Sequence, residues 1–404
     1  MHKNKGFCFA SVVKSFLQIV YFKEYLKEII AMANITFVGD IMCSPRMTEI
    51  LHNDYTPIFS LSKKLSDCDY LVGNLETPIA GEELKYTHER YCFNSPTNFL
   101  AAVRSAGFEL LALANNHCMD RGEEGIVKTL ENCRSFNFDT VGIYATKDER
   151  DEIFVKEIDG IKVSFINYTY GTNAFSHHTF LDHKYMVNLF QPEETLKGSI
   201  HLLNSYSQIA DEVNEIYINK NEGYVEANEC LMQLKCDIEK AKKISDYVIV
   251  LMHSGSQYIT EIDPYSAFLA EKIKEFGADM IVGHHQHIIQ SCDTKEGYLK
   301  VFSLGNFLCD TRIQCEGFYS DDPAFNAVLH VSLNRDENGK ICAKASFSIY
   351  MTVYNELGIP MVVDSCDVYR ERRETSLWSR IIGFANLFIG ENRYNEVMER
   401  YELI

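Results

Sequence analysis

Short apolar runs that end in polar residues recur along the chain from residue 34 onward. Runs of strand length occupy 35–38, 70–72 and 110–114, and segments with helical periodicity follow at 99–106 and 125–136. Strands that alternate with helices in this way are typical of a largely parallel sheet. The pattern therefore predicts an α/β fold, in which the carboxyl ends of the strands carry the polar residues.

The same pattern resumes in the second half of the chain. Strand-like runs appear at 247–252, 280–282 and 301–303. Two antiparallel hairpins are also predicted, one at 153–168 around an Asp-Gly turn and a longer one at 325–354. The sequence shows no internal repeat and no low-complexity linker.

Three segments fall outside this alternation. Residues 1–31 predict an amphipathic extension, a weak membrane anchor or a stretch upstream of the true start, because Met32 directly precedes the first strand. Residues 171–230 are polar, with four histidines between His177 and His201, and predict an insertion or lid over the site. The last forty residues predict amphipathic helices packed on the outside. The expected division is an extension (1–31), a main domain (32–320) and a C-terminal hairpin with helices packed on that domain (321–404).

Composition narrows the class of partner. The 404 residues carry a net charge of −18, which argues against nucleic-acid binding because phosphate contacts need clustered Lys and Arg. The 13 cysteines form no CxxC pair, so free thiols in a reducing compartment are the simplest interpretation. A cytoplasmic location is therefore expected, with membrane association through 1–31 as the alternative. Oligomeric state does not follow from the sequence.

Five of the predicted strand ends carry side chains suited to metal binding. In α/β sheets, ligands collect beyond the carboxyl ends of the strands. Carboxylates, imidazoles and an amide oxygen suit Zn²⁺, Mn²⁺ or Fe, and the set has room for one or two ions. Alone, Asp40 fits a helix cap as well as it fits a metal ligand, and His253 is more typical of a core histidine than of a ligand. Together they favour a metal site, and the residues at these five ends are Asp40, Glu76, Asn116-His117, His253 and His284-His285-Gln286-His287.

Six strings follow one another between residues 34 and 310: ITFVGDIM (35–42), GNLETPI (73–79), LANNHCMDRG (113–122), VLMHSGSQY (250–258), IVGHHQHIIQ (281–290) and FSLGNFLCD (302–310). In this order they resemble the motifs of the CapA family, the capsule-synthesis or poly-γ-glutamate family of the calcineurin-like metallophosphoesterase superfamily. The resemblance implies a four-layer metallophosphoesterase-like α/β/β/α sandwich, here with a C-terminal hairpin and helices.

The resemblance also implies roles for individual residues. The implied metal ligands are Asp40, Glu76 as the bridging carboxylate, Asn116, His253, His285 and His287. His117 is the implied proton donor, and Asp120 either supports it or caps the following helix. Asn115, His284 and Asn306 are expected at the substrate. His284 also competes for the metal role, because the GHxH motif of the superfamily fits Gly283 in two registers.

The sequence departs from the family pattern at three positions. Met42 stands where the superfamily has a metal-binding histidine, so one metal site is expected to lack a ligand. Ser254 and Gln257 replace a tryptophan and a glutamate of the family motif, which removes a stacking surface and a carboxylate. A changed substrate preference is expected.

Three functions remain open from the sequence. The first is a metal-dependent hydrolase of the phosphoesterase type in capsule or poly-γ-glutamate synthesis, acting on a phosphorylated small molecule or polymer precursor. The second is a non-enzymatic metal-binding or scaffolding subunit of a polymer-synthesis complex, which Met42 favours. The third is a metal-dependent hydrolase of γ-glutamyl amide bonds.

Overall fold

The computed structural model of the chain describes residues 32–404, apart from 52–53, 61, 63–64, 66, 88–91, 194–224, 226–227 and 315–321. The predicted extension at 1–31 and most of the insertion, including His201, lie outside the described residues. Within the described part, two β-sheets and flanking helices form an α/β sandwich, as the sequence pattern predicts.

The first sheet is centred on β1, which pairs in parallel with β2 and antiparallel with β12. Its described strands run in the order β14-β13-β12-β1-β2-β3-β4, with β11 also paired to β1 and β15 to β13. Their bounds are β1 Met32–Ile41, β2 Tyr70–Leu75, β3 Phe108–Ala112, β4 Asp139–Val141, β11 Asn306–Leu308, β12 Phe325–Arg335, β13 Ile341–Tyr354, β14 Pro360–Asp364 and β15 Tyr401–Glu402. The long C-terminal hairpin is therefore part of the sheet that contains β1.

The second sheet is parallel in its centre and has an antiparallel strand at each described edge. Its order is β5-β6-β7-β8-β10-β9. The bounds are β5 Val155–Ile158, β6 Ile161–Thr169, β7 Tyr247–His253, β8 Met280–His284, β9 Cys292–Asp293 and β10 Leu299–Val301. β5 and β6 form the predicted hairpin around Asp159-Gly160.

Ten α-helices flank the two sheets in the described part of the chain. Their bounds are α1 Pro45–Leu51, α2 Asn98–Ser105, α3 Gly122–Ser135, α4 Lys147–Asp151, α5 Ala174–His177, α6 Glu229–Ile244, α7 Pro264–Glu275, α8 Thr311–Gln314, α9 Ser365–Arg372 and α10 Thr375–Ile389. Apolar side chains of α1, α2 and α3 pack on the outer face of the first sheet, and those of α6 and α7 on the second. Between the sheets lies a shared apolar core, where the rings of Phe37 and Phe165 approach to 6.4 Å. The layers are thus α/β/β/α.

The C-terminal helices differ from the prediction. Leu377, Ile381 and Phe388 of α10 belong to the same apolar core as the inner faces of both sheets, so α10 is not an outer layer. The Phe347 and Phe388 rings lie 4.7 Å apart. Helical structure also ends at Ile389, and β15 follows in the last stretch. The amphipathic pattern predicted the helix correctly, but an apolar stripe does not specify which surface it covers.

Close backbone approach joins β1 to β11 beside the strand ends. A Cβ atom added to Gly39 would lie 1.8 Å from the carbonyl oxygen of Gly305, so only glycine fits there. Asp40 N donates to the same carbonyl at 3.0 Å, which fixes the backbone of Asp40 at the end of β1. Across the described residues, no helix has both the length and the apolar character needed to cross a membrane.

Candidate metal centre

The carboxyl ends of five strands, three from the first sheet and two from the second, meet in one buried cluster. The first sheet contributes Asp40 from β1, Glu76 after β2 and the 115–117 turn after β3. The second contributes His253, the last residue of β7, and the stretch after β8. Each of the residues predicted to bind metal is at most 3% exposed: Asp40, Glu76, Asn116, His253, His285 and His287. The first sheet therefore supplies the carboxylates and the amide, and the second supplies the imidazoles.

One group of ligand atoms comes from Glu76, His253 and His285. We call these three residues and Asn116 the histidine half-site. One ligand atom from each of these three residues lies within 4.8 Å of the others. His253 Nε2 is 3.7 Å from Glu76 Oε1 and 2.8 Å from Asn116 Oδ1. The amide oxygen of Asn116 is thus a fourth donor facing the same space.

A second group consists of Asp40, Glu76 and His287, which we call the aspartate half-site. Its ligand atoms also lie within 4.8 Å of one another. His287 Nδ1 is 3.2 Å from Asp40 Oδ2, and its Nε2 is 3.9 Å from Glu76 Oε1. Glu76 belongs to both groups, as a bridging carboxylate must. Met42 is buried beside this region in apolar contact with Phe93 and Cys309 and offers no ligand of the carboxylate or imidazole type.

Burial and neighbouring charges shift the pKa values of the carboxyl and imidazole groups in the cluster. Burial, and then the charge of Asp40, raises the pKa of Glu76 well above its usual value. For Asp40, burial alone would raise the pKa, but the hydrogen bond and charge of His287 outweigh it and hold the pKa well below the usual range. Burial also keeps the pKa of His253 well below its usual value.

These donors fit a divalent cation of the Zn²⁺, Mn²⁺ or Fe type. Among the described residues, Glu76 Oε1 is buried and accepts no hydrogen bond, so a buried acceptor is left for a cation. The donors are oxygen and imidazole nitrogen without thiolate, which suits these borderline metals.

Asn74 supports the centre and is not among the site residues predicted from the sequence. Its amide nitrogen lies 2.8 Å from Asp40 Oδ1 and 3.4 Å from His253 Nδ1. It therefore touches one residue from each sheet. The only signal in the sequence was its place in the polar ending Gly-Asn-Leu-Glu of β2.

Asn115 and Asn306, both predicted at the substrate, are buried and bonded within the protein. Asn115 Nδ2 donates to the carbonyl of Leu75 at 2.9 Å, and Asn115 Oδ1 accepts from the backbone of His117. Asn306 Oδ1 lies 2.9 Å from His287 Nδ1. A partner on Nδ1 orients the ring so that Nε2 faces Glu76. In the described structure both residues hold other site residues in place.

His284 belongs to neither half-site. Its Nε2 lies 3.2 Å from the carbonyl oxygen of Val38, and burial lowers the pKa of its imidazole. His285 and His287 each have a ligand atom near Glu76, and both backbones have a positive φ, 106° and 61°. Such values are rare outside glycine and concentrate at functional sites. The geometry therefore favours the register that places His285 and His287 at the centre.

His117 and Asp120 form a pair next to the cluster. His117 Nδ1 lies 2.8 Å from Asp120 Oδ2, and Phe93 packs its ring 4.4 Å from that of His117. Burial would raise the pKa of Asp120, but the charge and hydrogen bond of His117 prevail and lower it. The N-cap of α3 is Arg121, whose side chain makes no capping hydrogen bond. The carboxylate of Asp120 is thus directed at His117.

Comparison with known proteins identifies the family of the chain. The sequence profile of the family described as Bacterial capsule synthesis protein PGA_cap matches residues 34–311, which include every residue of both half-sites. The chain belongs to this family. The PGA_cap fold is metallophosphoesterase-like, in agreement with the α/β/β/α layers.

Two PGA_cap relatives show how far the similarity extends. The capsule biosynthesis protein CapA of Bacillus anthracis is 27% identical over 281 residues, covering 68% of this chain and 59% of the relative. The PGA biosynthesis protein CapA of Bacillus subtilis (strain 168) is 26% identical over 298 residues, covering 71% and 65%. The chain therefore spans about three-fifths of the length of these relatives.

Proposed function

We propose that this chain is a metal-dependent hydrolase of the phosphoesterase type that acts in the synthesis of a capsular polymer. The observation that carries the proposal is the placement of Glu76 in two buried ligand groups, beside a histidine held by a carboxylate. The polymer role is supported by the family and by the names of the CapA relatives. A phosphorylated small molecule or polymer precursor is the proposed substrate.

In this proposal Asp40, Glu76, Asn116, His253, His285 and His287 hold one or two divalent cations. A cation of this type supplies Lewis-acid polarisation of a phosphoryl oxygen and neutralises its charge. Asp120 keeps His117 in one orientation, so that the other ring nitrogen can give a proton to the leaving oxygen. Phe93 covers one face of His117 and excludes water from that side.

The aspartate half-site gives a specific reason to consider a second function. Because Met42 stands where a further ligand is expected, the chain could bind metal without catalysis, as a subunit of a polymer-synthesis complex. A third candidate keeps the centre but directs it at γ-glutamyl amide bonds, since an activated water attacks carbonyls as well as phosphoryl groups.

One set of measurements separates the three functions. The full chain, purified without chelator, is analysed for metals and assayed with bis(p-nitrophenyl) phosphate and with γ-linked glutamate oligomers. Metal with phosphodiester turnover that disappears in His285→Ala supports the proposed function. Metal with cleavage of the oligomers alone supports the amide hydrolase, and metal without either turnover supports the scaffold. A well-folded protein without metal, even after growth with added Mn²⁺ and Zn²⁺, would contradict all three.

A further inference from the structure

The start of the insertion runs directly onto the metal centre. β6 ends at Thr169 beside His253, and Tyr170 N donates to the carbonyl of His253 at 3.0 Å. The Tyr170 ring then packs 4.9 Å from that of His285. The next residues, 172–177, therefore pass over the 115–120 turn of the first sheet.

Asn173 contacts the amide of Asn116. Asn173 Oδ1 lies 3.4 Å from Asn116 Nδ2, while Asn116 Oδ1 lies 2.8 Å from His253 Nε2. A side-chain amide binds a cation only through its oxygen, so its nitrogen must find an acceptor elsewhere. Asn173 provides that acceptor and so favours the orientation in which the oxygen of Asn116 faces the centre.

His177 contacts the carboxylate that holds His117. His177 Nδ1 lies 3.3 Å from Asp120 Oδ1, and Asp120 Oδ2 lies 2.8 Å from His117 Nδ1. One carboxylate therefore touches two imidazoles, one from the 115–120 turn and one from the insertion. The side chain of Asp120 is buried, whereas that of His177 is 21% exposed. His177 thus lies against the second oxygen of a buried carboxylate whose first oxygen orients His117.

The chain holds the 172–177 segment in a constrained conformation. The side chain of Glu193 accepts from the hydroxyl of Thr172 and, at 2.8 Å, from Leu181 N. Asn173 has a φ of 57°, in the left-handed region that asparagine tolerates better than most residues. At the base of the loop, Thr169 N donates to the carbonyl of Asn188 and Phe190 N donates to the carbonyl of Thr169, each at 2.9 Å. A segment tied at both ends can position what it touches.

We propose that residues 172–177 are a positioning element of the metal centre, in which Asn173 orients the amide of Asn116 and His177 holds Asp120 against His117. This inference rests on the proposed function, because it assumes that Asn116 binds metal and that His117 donates a proton. The described part of the insertion thereby gains a role, although it lies outside the family motifs and contributes no metal ligand.

Two variants of the full chain test it without measuring turnover. Asn173→Gly keeps a left-handed backbone accessible and removes only the amide. Mn²⁺ titrated into the metal-free variant by calorimetry should bind about 10-fold more weakly than in the wild type, the usual effect of losing a residue that orients a ligand. His178→Asn is the matched control, since His178 is exposed and has a similar φ of 52°.

The second variant is His177→Phe. Its effect is measured by NMR as the position of the imidazole N–H signal of His117 in metal-free protein labelled with ¹⁵N-histidine. Loss of His177 should shift this signal, Asp120→Asn should shift it further, and His177→Gln, which retains a donor, should restore it. Unfolding temperatures near that of the wild type show that the variants fold.

The outcomes decide each residue separately. Mn²⁺ affinity within twofold of wild type in Asn173→Gly, or an unchanged His117 signal in His177→Phe, overturns the role of that residue. Wild-type protein that binds no Mn²⁺ contradicts the proposed function and the role of Asn173, while the His117 signal still decides the role of His177. Weakened Mn²⁺ binding in Asn173→Gly, in a wild-type protein that cleaves no phosphoester, supports the positioning element and contradicts the proposed reaction.

Discussion

The two half-sites share Glu76 but differ in the number of residues that offer a ligand atom. The histidine half-site has two imidazoles, the shared carboxylate and the amide oxygen of Asn116, so four donors face one space. The aspartate half-site has Asp40, Glu76 and His287, and Met42 lies beside it in an apolar cluster. Because four donors are the usual number for a closed Zn²⁺ site, the histidine half-site is expected to hold its cation more tightly.

This difference separates metal binding from catalysis. A chain can lose one donor from the aspartate half-site and still keep a complete histidine half-site. In-line displacement at a phosphoryl group benefits from two cations, so the weaker half-site controls the reaction while the stronger one controls occupancy. The hydrolase and the scaffold therefore differ mainly in whether the aspartate half-site fills.

Replacing the shared carboxylate should have the largest effect. Glu76→Gln keeps the size of the side chain but removes the charge common to both half-sites. We expect both cations to be lost and turnover to fall about 1000-fold, equivalent to about 4 kcal/mol of transition-state stabilisation. Metal analysis and steady-state kinetics measure this. Retention of one full metal equivalent in Glu76→Gln would show that the half-sites do not depend on a common ligand.

Single histidine substitutions should separate the half-sites. His253→Ala removes a ligand from the histidine half-site and should weaken the tighter Mn²⁺ equivalent by about 100-fold or more, because loss of a ligand should cost at least as much as loss of a residue that orients one. His287→Ala should leave that equivalent nearly unchanged and abolish the weaker one. Calorimetric titration of both metal-free variants gives the comparison. Equal losses in the two variants would mean that the cluster binds a single cation between all its ligands.

Restoring the absent ligand should make the half-sites more alike. Met42→His places an imidazole donor beside Asp40, and we expect the weaker Mn²⁺ equivalent to tighten about 10-fold. Met42→Leu, which retains the apolar contacts with Phe93 and Cys309, is the control. If Met42→His binds the second equivalent no better than Met42→Leu, the side chain at this position does not reach the aspartate half-site.

The pH dependence of the metal-free protein should give the smallest effect. Because the pKa of Glu76 is raised on folding, folded Glu76 keeps a proton that the unfolded chain releases above about pH 4.5. The contribution of Glu76 to the free energy of unfolding should therefore fall as pH rises above that value, by at most about 1.4 kcal/mol per pH unit, until the raised pKa is reached. Asp40, whose pKa is lowered, is ionised throughout this window and adds no slope. His253 and His284, whose pKa values are lowered by burial, add a slope of the opposite sign below about pH 6.5, so the contribution of Glu76 is the difference between the wild type and Glu76→Gln.

Thermal unfolding at pH 5, 6 and 7, with and without Mn²⁺, measures this effect. Bound cation replaces the proton on Glu76, so stabilisation by Mn²⁺ should grow with pH. Glu76→Gln should lose this part of the slope. A wild-type slope equal to that of Glu76→Gln would show that Glu76 titrates normally.

Much of the centre could be predicted because it follows from sheet geometry. Asp40, Glu76 and His253 each come at the end of an apolar run, and parallel strands bring such ends together whatever connects them. The order of the layers could be predicted as well, since strands that alternate with helices place the helices on the faces of the sheets.

The remainder depends on conformations that the local sequence does not encode. The choice between His284 and His285 rests on φ values of 106° and 61° at two histidines, where no glycine signals a left-handed turn. Asn74 and Asn173 act through contacts with residues distant in sequence. The inner position of α10 depends on which surface the second sheet leaves uncovered.

The pairing of β1 with β12 has a consequence for how the family is delimited. The profile match ends at residue 311, but Met32–Phe37 of β1 pairs with Leu329–Asn334 of β12, well beyond that point. A fragment cut at the end of the recognised region would keep β11 beside Asp40 but would leave residues 32–37 of β1 as an unpaired edge, open to pairing with another molecule. The region that the family profile matches therefore contains the predicted metal ligands, whereas the cooperative folding unit extends through the β12–β13 hairpin. Fragments designed from the profile alone should aggregate.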